Sequence, residues 1–288
     1  MLFSGTPMQH LFAKVKPRLR SNRSLDREAI SQLDLATRVT VEAQITDARV
    51  ASVDFTSFIS MDTCLVTYAA HCAWRRYLFA FLGPVQGKVL LDIACGYSMT
   101  PVIFALAGAT VHALDVAPKA IATVRRFAEY KGVAHRVHFH VSPAETLPFP
   151  DAHCDLIYGG AALHHVQLDR VAPELARVLK PGGKGAFLDP LAHNWFFEFA
   201  RDYLPYHGKH PVKGTDRALR VQEIAAFGRH FTTCTYRGFE LFSVAATALH
   251  RKHNSRLRRT LEVIDAQLFD RLPAMQRYAR YVVTCVTK

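Results

Sequence analysis

The chain has 288 residues, of which 50% are apolar and 21% charged, so it can bury a substantial core and is neither disordered throughout nor fibrous. Lys and Arg number 36 against 24 Asp and Glu, a formal charge of +12 that favours anionic partners such as a phosphorylated metabolite, an acidic membrane surface or nucleic acid. The six cysteines form no Cys-x-x-Cys pair, which argues against a zinc finger or redox pair and suits a reducing cytoplasm.

No uninterrupted apolar run reaches about 20 residues, so no spanning helix is expected. The opening segment has no apolar stretch with a cleavage site after it, although its basic, Ser-containing character faintly resembles a transit peptide. Residues 1 to about 50 carry Lys14, Lys16, Arg18, Arg20, Arg23 and Arg27 and read as a solvated basic arm. From Phe55 to Leu82 the pattern is helical and aromatic, with Tyr68, Trp74, Tyr77, Phe79 and Phe81, and Gly83-Pro84 closes it.

Strand, turn and helix then alternate. Val89–Leu91 is a short apolar run suited to a buried parallel strand. A helix is predicted over 100–106, a strand over 110–114, and a helix over 118–130 with Pro118 near its start and Gly132 after its end. Strands follow at 137–141 and 155–158. A helix over 169–179 is stopped by Pro181-Gly182-Gly183, and Gly185–Leu188 is a fifth strand. Such alternation implies a parallel sheet with helices on both faces. Beyond Pro190 come an aromatic segment, Trp195–Tyr206, a Gly/His/Pro-rich loop, a helix near 221–227 and a strand near 231–236. A helical stretch over 241–279 carries basic Arg251, Lys252, Arg256, Arg258 and Arg259, and a last strand covers 281–286.

The turn after the first strand, Asp92-Ile93-Ala94-Cys95-Gly96-Tyr97-Ser98, is rich in small residues that let backbone approach a ligand. About twenty residues on, Asp115 ends the second strand, where an acid can take both hydroxyls of a ribose. The pair points to a nucleoside-containing cofactor. The glycine spacing of a dinucleotide site is missing, which weakens a nicotinamide oxidoreductase. Asp92 suits an amine or cation better than a pyrophosphate.

In order and spacing, Leu91–Gly96, Ala113–Val116, Ala144–Asp151, Leu163–Val166 and Arg177–Gly183 resemble the class I S-adenosylmethionine (SAM)-dependent methyltransferases, in their bacterial small-molecule, type 11-like branch. The resemblance implies an α/β fold: a Rossmann-like sheet of seven strands, the last antiparallel, with helices on both faces and a helical, aromatic cap. It divides the chain into an N-terminal arm and helical cap (1–85), a SAM-binding core (86–190), and a substrate-cap segment with the last strands of the same sheet (191–288). It implies that Asp92, Ala94, Cys95 and Gly96 hold the methionine end of SAM, Asp115 the ribose and Val116 the adenine face. Ala144 and Glu145 would border the adenine edge, with Gly159 and Gly160 beside the reactive methyl. Pro143 stands where the family often has an acid for the adenine amine, so Glu145, Ser142 or a backbone carbonyl would substitute.

Methyl transfer needs alignment and exclusion of water, and a base only where the nucleophile carries a proton. His165, His164 and His193 are candidate bases, with Asp189 able to orient one of them. Tyr68, Trp195 and Tyr206 are candidate substrate-lining residues. His138 and His140 share a strand face, but two ligands make no zinc site, and the fourth strand ends in Tyr158-Gly159-Gly160 without a carboxylate for magnesium; no metal is expected. The resulting expectation is a cytoplasmic SAM-dependent methyltransferase of secondary metabolism acting on a small, lipophilic or aromatic acceptor. Peripheral contact with an anionic membrane accompanies it. The competing expectations are an RNA- or protein-modifying methyltransferase and a non-catalytic SAM-, nucleoside- or membrane-binding protein.

Overall fold

The computed structural model describes residues 34–50, 63–203, 217–249 and 256–288. The basic span 14–27, Phe55, Tyr206, the loop that follows it, Arg251 and Lys252 lie outside the described residues.

Seven strands form one sheet in the order β3-β2-β1-β4-β5-β7-β6. They are β1 (Val89–Ile93), β2 (Thr110–Asp115), β3 (Val137–Val141), β4 (Cys154–Gly160), β5 (Leu179–Pro190), β6 (Thr233–Phe239) and β7 (Tyr281–Thr287). The first five pair in parallel, while β7 runs antiparallel between β5 and β6. Strands buried on both faces should be apolar throughout, and Leu90, Leu91 and Ile93 are fully buried. The order reverses between β1 and β4, so the carboxyl ends of the strands open a crevice there.

The described helices are α1 (Leu35–Val50), α2 (Leu65–Ala70), α3 (Ala73–Leu82), α4 (Thr100–Leu106), α5 (Pro118–Tyr130), α6 (Leu168–Val178), α7 (Trp195–Tyr203), α8 (Val221–Gly228), α9 (Ser243–Leu249) and α10 (Arg256–Arg271). On one face of the sheet Leu78, Phe79, Val102, Phe104, Val124 and Phe127 bury the inner sides of α3, α4 and α5. On the other, Val171, Leu175, Ile224 and Phe227 do the same for α6 and α8, and Phe269 of α10 joins them. No helix among the described residues is long and apolar enough to cross a membrane.

Several expected elements are corrected. The arm expected over 1–50 ends in helix α1, capped by Asp34, whose carboxylate accepts the Thr37 N–H at 3.0 Å and its hydroxyl at 2.7 Å. The helix expected through residue 82 is broken at Cys72, which is extended at φ −152°. Strand β5 starts at Leu179 rather than Gly185, because Lys180-Pro181-Gly182-Gly183 is absorbed as an irregularity where the pairing jumps from Cys154–Leu179 to Leu156–Lys184. The single helical stretch expected over 241–279 is α9, α10 and a 3-10 turn, Pro273–Tyr278.

Candidate functional site

The turn between β1 and α4 doubles back through two left-handed residues, Ala94 at φ 46° and Gly96 at φ 55°. Gly96 takes that conformation at no steric cost, whereas Ala94 is held in it by its surroundings. The Cys95 N–H donates to the Leu114 carbonyl at 3.1 Å, and the Gly96 N–H donates to Asp115 Oδ2 at 2.8 Å. Asp115 Oδ1 accepts the Ala117 N–H at 2.9 Å. One carboxylate therefore ties the turn after β1 to the end of β2. Burial pushes the Asp115 carboxyl above its usual range, opposed by the N–H groups of Ala117 and Gly96.

Asp92 lies beneath this turn, 1% exposed. Its Oδ2 is buried without a hydrogen-bond partner. Burial first, and then the neighbouring Asp115, raises its carboxyl well above the ordinary value. A buried acceptor without a donor is costly and fits a site made for a ligand that carries one.

The wall opposite is residues 142–151. The Ser142 N–H donates to the Asp115 carbonyl at 3.0 Å, which brings β3's end to β2's. Glu174 Oε2 accepts the Leu147 N–H at 2.9 Å. Arg177 fastens the same segment through the Phe149 carbonyl at 2.7 Å and the Asp151 carboxylate at 3.0 Å. Glu145 Oε1 accepts the Gln167 N–H at 2.9 Å, so this acid is fixed to the start of α6.

Beyond β4, Ala161 is left-handed at φ 61°, and its N–H donates to the Leu188 carbonyl at 2.7 Å. The 3-10 turn Leu163–His165 then separates two adjacent histidines. His164 is buried, with Nδ1 at 2.7 Å from Asp189 Oδ1 and its backbone N–H at 3.1 Å from the same oxygen. His165 turns toward the crevice, its ring centroid 4.0 Å from that of His164.

Helix α1 roofs the crevice. It packs on α5, where the Lys119 N–H donates to Asp47 Oδ1 at 2.9 Å. The Arg38 guanidinium donates to the His165 carbonyl. Glu42 Oε2 stands 3.5 Å from His165 Nδ1. Under this roof is a cavity of about 220 Å³.

Of the site residues expected from sequence, Ala94, Gly96, Asp115, Val116, Ala144, Glu145 and His165 line the cavity together. Asp92 and Cys95 lie below its surface, both buried. Gly159 is buried, and a Cβ there would meet Phe187 Cδ1 at 2.8 Å; at Gly160 a Cβ would meet the Tyr158 hydroxyl at 2.7 Å. These two glycines are explained by close packing at the end of β4. His164 is held by Asp189. His193 is elsewhere: its Nε2 accepts the Val221 N–H at 3.0 Å and so satisfies the start of α8. Tyr68 packs edge-on against Phe79 at 5.9 Å with the Arg75 guanidinium 3.9 Å from its ring. Trp195 is 77% exposed on the outside of α7. Sequence reading missed Arg38, Glu42 and the rest of the roof; the capping Asp34 three residues before Thr37 is the signal that could have found it. Among the described residues, no group of three His, Cys, Asp or Glu side chains is placed to hold a metal ion.

Residues 91–187 match the family described as a methyltransferase domain. An uncharacterised methyltransferase of Synechocystis sp. is 36% identical over 115 residues, 38% of this chain and 51% of that protein. A ubiquinone/menaquinone biosynthesis C-methyltransferase of Shewanella pealeana is 32% identical over 124 residues, 42% of this chain and 49% of that protein. The matched stretch thus spans about half the length of these curated relatives. Among solved structures, geranyl diphosphate C-methyltransferase from Streptomyces coelicolor A3(2) superposes with a TM-score of 0.50 at 14% identity, covering 74% of each chain. Phosphoethanolamine N-methyltransferase 2 from Haemonchus contortus gives 0.51 at 17% identity, covering 73% of this chain and 50% of that one. Both show the same fold. Residues 91–187 thus match a methyltransferase domain, set in a fold that this chain shares with solved methyltransferases.

Proposed function

We propose that this chain is a SAM-dependent methyltransferase that passes a methyl group to a small, lipophilic or aromatic metabolite by in-line displacement. The observation that carries the reading is the closed ring of contacts in which Asp115 joins the Gly96 turn, with Val116, Ala144 and Glu145 lining the same cavity. The ring fits an adenosyl group: a carboxylate for the ribose hydroxyls, apolar Val116 and Ala144 for the base, and a left-handed turn for the methionine end. When bound, SAM supplies a methyl group already activated on a sulfonium.

The protein's part is then mostly alignment and dryness. Proximity of this kind contributes on the order of 7–11 kcal/mol to a two-body reaction. Helix α1 supplies the roof that excludes water, latched by Arg38 on the His165 carbonyl. Where the acceptor carries a proton, His165 is the histidine placed to take it, because it lines the cavity while His164 and His193 are engaged in the scaffold. The quinone-biosynthesis activity named for the Shewanella relative supports an apolar acceptor. Among the described residues no two cysteines form a disulfide, and Cys72, Cys95, Cys154 and Cys285 are buried, which supports a reducing, cytoplasmic setting.

Titration calorimetry of the full chain with SAM, followed by transfer of labelled methyl from SAM into a fractionated extract, tests the reading. Label in the organic-soluble, low-mass fraction is the expected result. Label in RNA or protein would replace the acceptor class. No heat at millimolar SAM would leave a non-catalytic binding protein.

A further inference from the structure

Three carboxylates line the cavity with His165: Glu42 on α1, Asp115 on β2 and Glu145 on the wall. Two of them are engaged by backbone. Asp115 accepts the N–H groups of Gly96 and Ala117, and Glu145 accepts that of Gln167. Glu42 is the one that meets the histidine ring, with Oε2 3.5 Å from Nδ1 and the two side chains 14 and 24% exposed.

Helix α1 grips His165 twice. Arg38 and Glu42 stand four residues apart and so share one face of the helix. From that face Arg38 donates to the His165 carbonyl, and one turn later Glu42 addresses its ring. The far end of the helix is fixed on α5 by the Lys119 N–H, which donates to Asp47 at 2.9 Å. On its other side the His165 ring lies 4.0 Å from that of His164, whose Nδ1 is 2.7 Å from Asp189. Arg49 is a further cation of α1 at the same cavity.

We propose that Glu42 is the positioning residue for His165 as proton acceptor, forming with it a carboxylate–histidine dyad that is complete only when α1 covers the cavity. The inference rests on the reading of this cavity as a methyl-transfer site, and it adds a class of acceptor: one that attacks through an O–H or N–H group. With Nδ1–H directed at Glu42, the lone pair of Nε2 on the opposite edge of the ring is left for the acceptor. Nε2 takes the acceptor's proton, the acceptor's electron pair forms the bond to the methyl carbon, and the pair of the broken carbon–sulfur bond stays on sulfur. The positive charge lost at sulfur reappears on the imidazole ring, beside a carboxylate that stabilises it. An opened roof carries Glu42 away, so exclusion of water and removal of the proton are coupled through one helix.

Nitrogen-15 NMR of the histidine-labelled full chain tests it, with His165 assigned by its loss in H165Q. Expected in the parent is the Nδ1–H tautomer of neutral His165, giving way in E42A to the Nε2–H form usual for free histidine. E42Q should move the His165 titration to lower pH, because the charged ring loses its carboxylate. The signals of His112 and His153, on the outer sheet, should stay in place and so report an intact fold. In the labelled-methyl assay H165Q should lose roughly 10²–10⁴-fold of the transfer and E42A roughly tenfold or more, with E42D recovering part of it. Tautomer and titration unaltered in the Glu42 variants would overturn the dyad, as would transfer by H165Q at the parent's rate. The NMR readouts need no SAM. A chain that gives no heat with SAM therefore fails as a methyltransferase, whereas unaltered His165 signals in a chain that binds SAM fail the dyad alone.

Discussion

Glu42 on α1 and His165 after β4 meet across the mouth of the cavity, with Oε2 and Nδ1 3.5 Å apart, and the same histidine's carbonyl takes the Arg38 guanidinium. The two contacts differ in weight. A partly exposed ion pair contributes about 0.2–1 kcal/mol. A charge-assisted hydrogen bond to a carbonyl contributes about 1.5–3 kcal/mol. Burial lowers the Arg38 pKa, and the fields of Glu145 and Glu42 work against that and hold its charge.

Arg38→Ala should therefore loosen the roof more than Glu42→Gln. Hydrogen exchange across residues 35–50 should speed up clearly in the first and slightly in the second, with SAM affinity falling in the same order. Equal protection in both variants and the parent would show that α1 is held by its packing on α5 alone.

Asp115→Ala should weaken SAM binding by about 1–3 kcal/mol, the cost of ribose hydroxyls left without an acceptor. The N–H groups of Gly96 and Ala117 lose their acceptor too, so some stability should go with it. Calorimetry on folded protein separates the two losses. Unchanged affinity would remove this aspartate from the ribose position.

Asp189→Ala should cost about 1–3 kcal/mol of unfolding free energy, since two donors of buried His164 lose their shared acceptor. Urea denaturation measures it. A stable variant that has lost methyl transfer would move this pair from scaffold into chemistry.

The pH dependence should carry the mark of four histidines on the outer sheet. His112 Nδ1 lies 3.0 Å from His140 Nε2, and His112 Nε2 lies 3.1 Å from His153 Nε2, with His138 stacked at 4.9 Å. Burial first, and then His153, His138 and His140, lowers the His112 pKa from 6.5 to about 4. His140 is lowered in the same way. Between pH 6.5 and about 4 the unfolded chain binds the proton that folded His112 refuses, so the contribution is whole above pH 6.5 and is lost as pH falls toward 4. A drop of that size corresponds to at most ~3 kcal/mol, and solvent screening of this half-exposed ring reduces it to about 1–2 kcal/mol. The melting temperature should fall over this range in the parent and fall less in His112→Gln. Parallel curves for the two proteins would refute the assignment.

What the sequence disclosed followed from how strongly each element is patterned. Pro118 at the start and Gly132 beyond the end of α5 frame a buried face of Ile121, Val124 and Phe127, so its limits were readable. Strand β1 and Asp115 were readable because a fully buried apolar run ending in an acid has few other uses. Helix α1 was not, because it buries only Ile45 and mixes β-branched Thr37, Val39, Thr40 and Val41 into its first turns. The division of labour between His164 and His165 was hidden as well. Adjacent residues in a tight turn point different ways, and only the approach of Asp189 from β5 decides which is inward.

The place of β7 sets an order on biosynthesis. Strand β6 leaves the ribosome before β7 yet touches only β7 in the sheet, and the open edge of β5 waits for the same segment. Until residues 281–287 emerge, the nascent chain exposes one unpaired edge and one stranded ribbon, a period during which a chaperone's shelter would matter most.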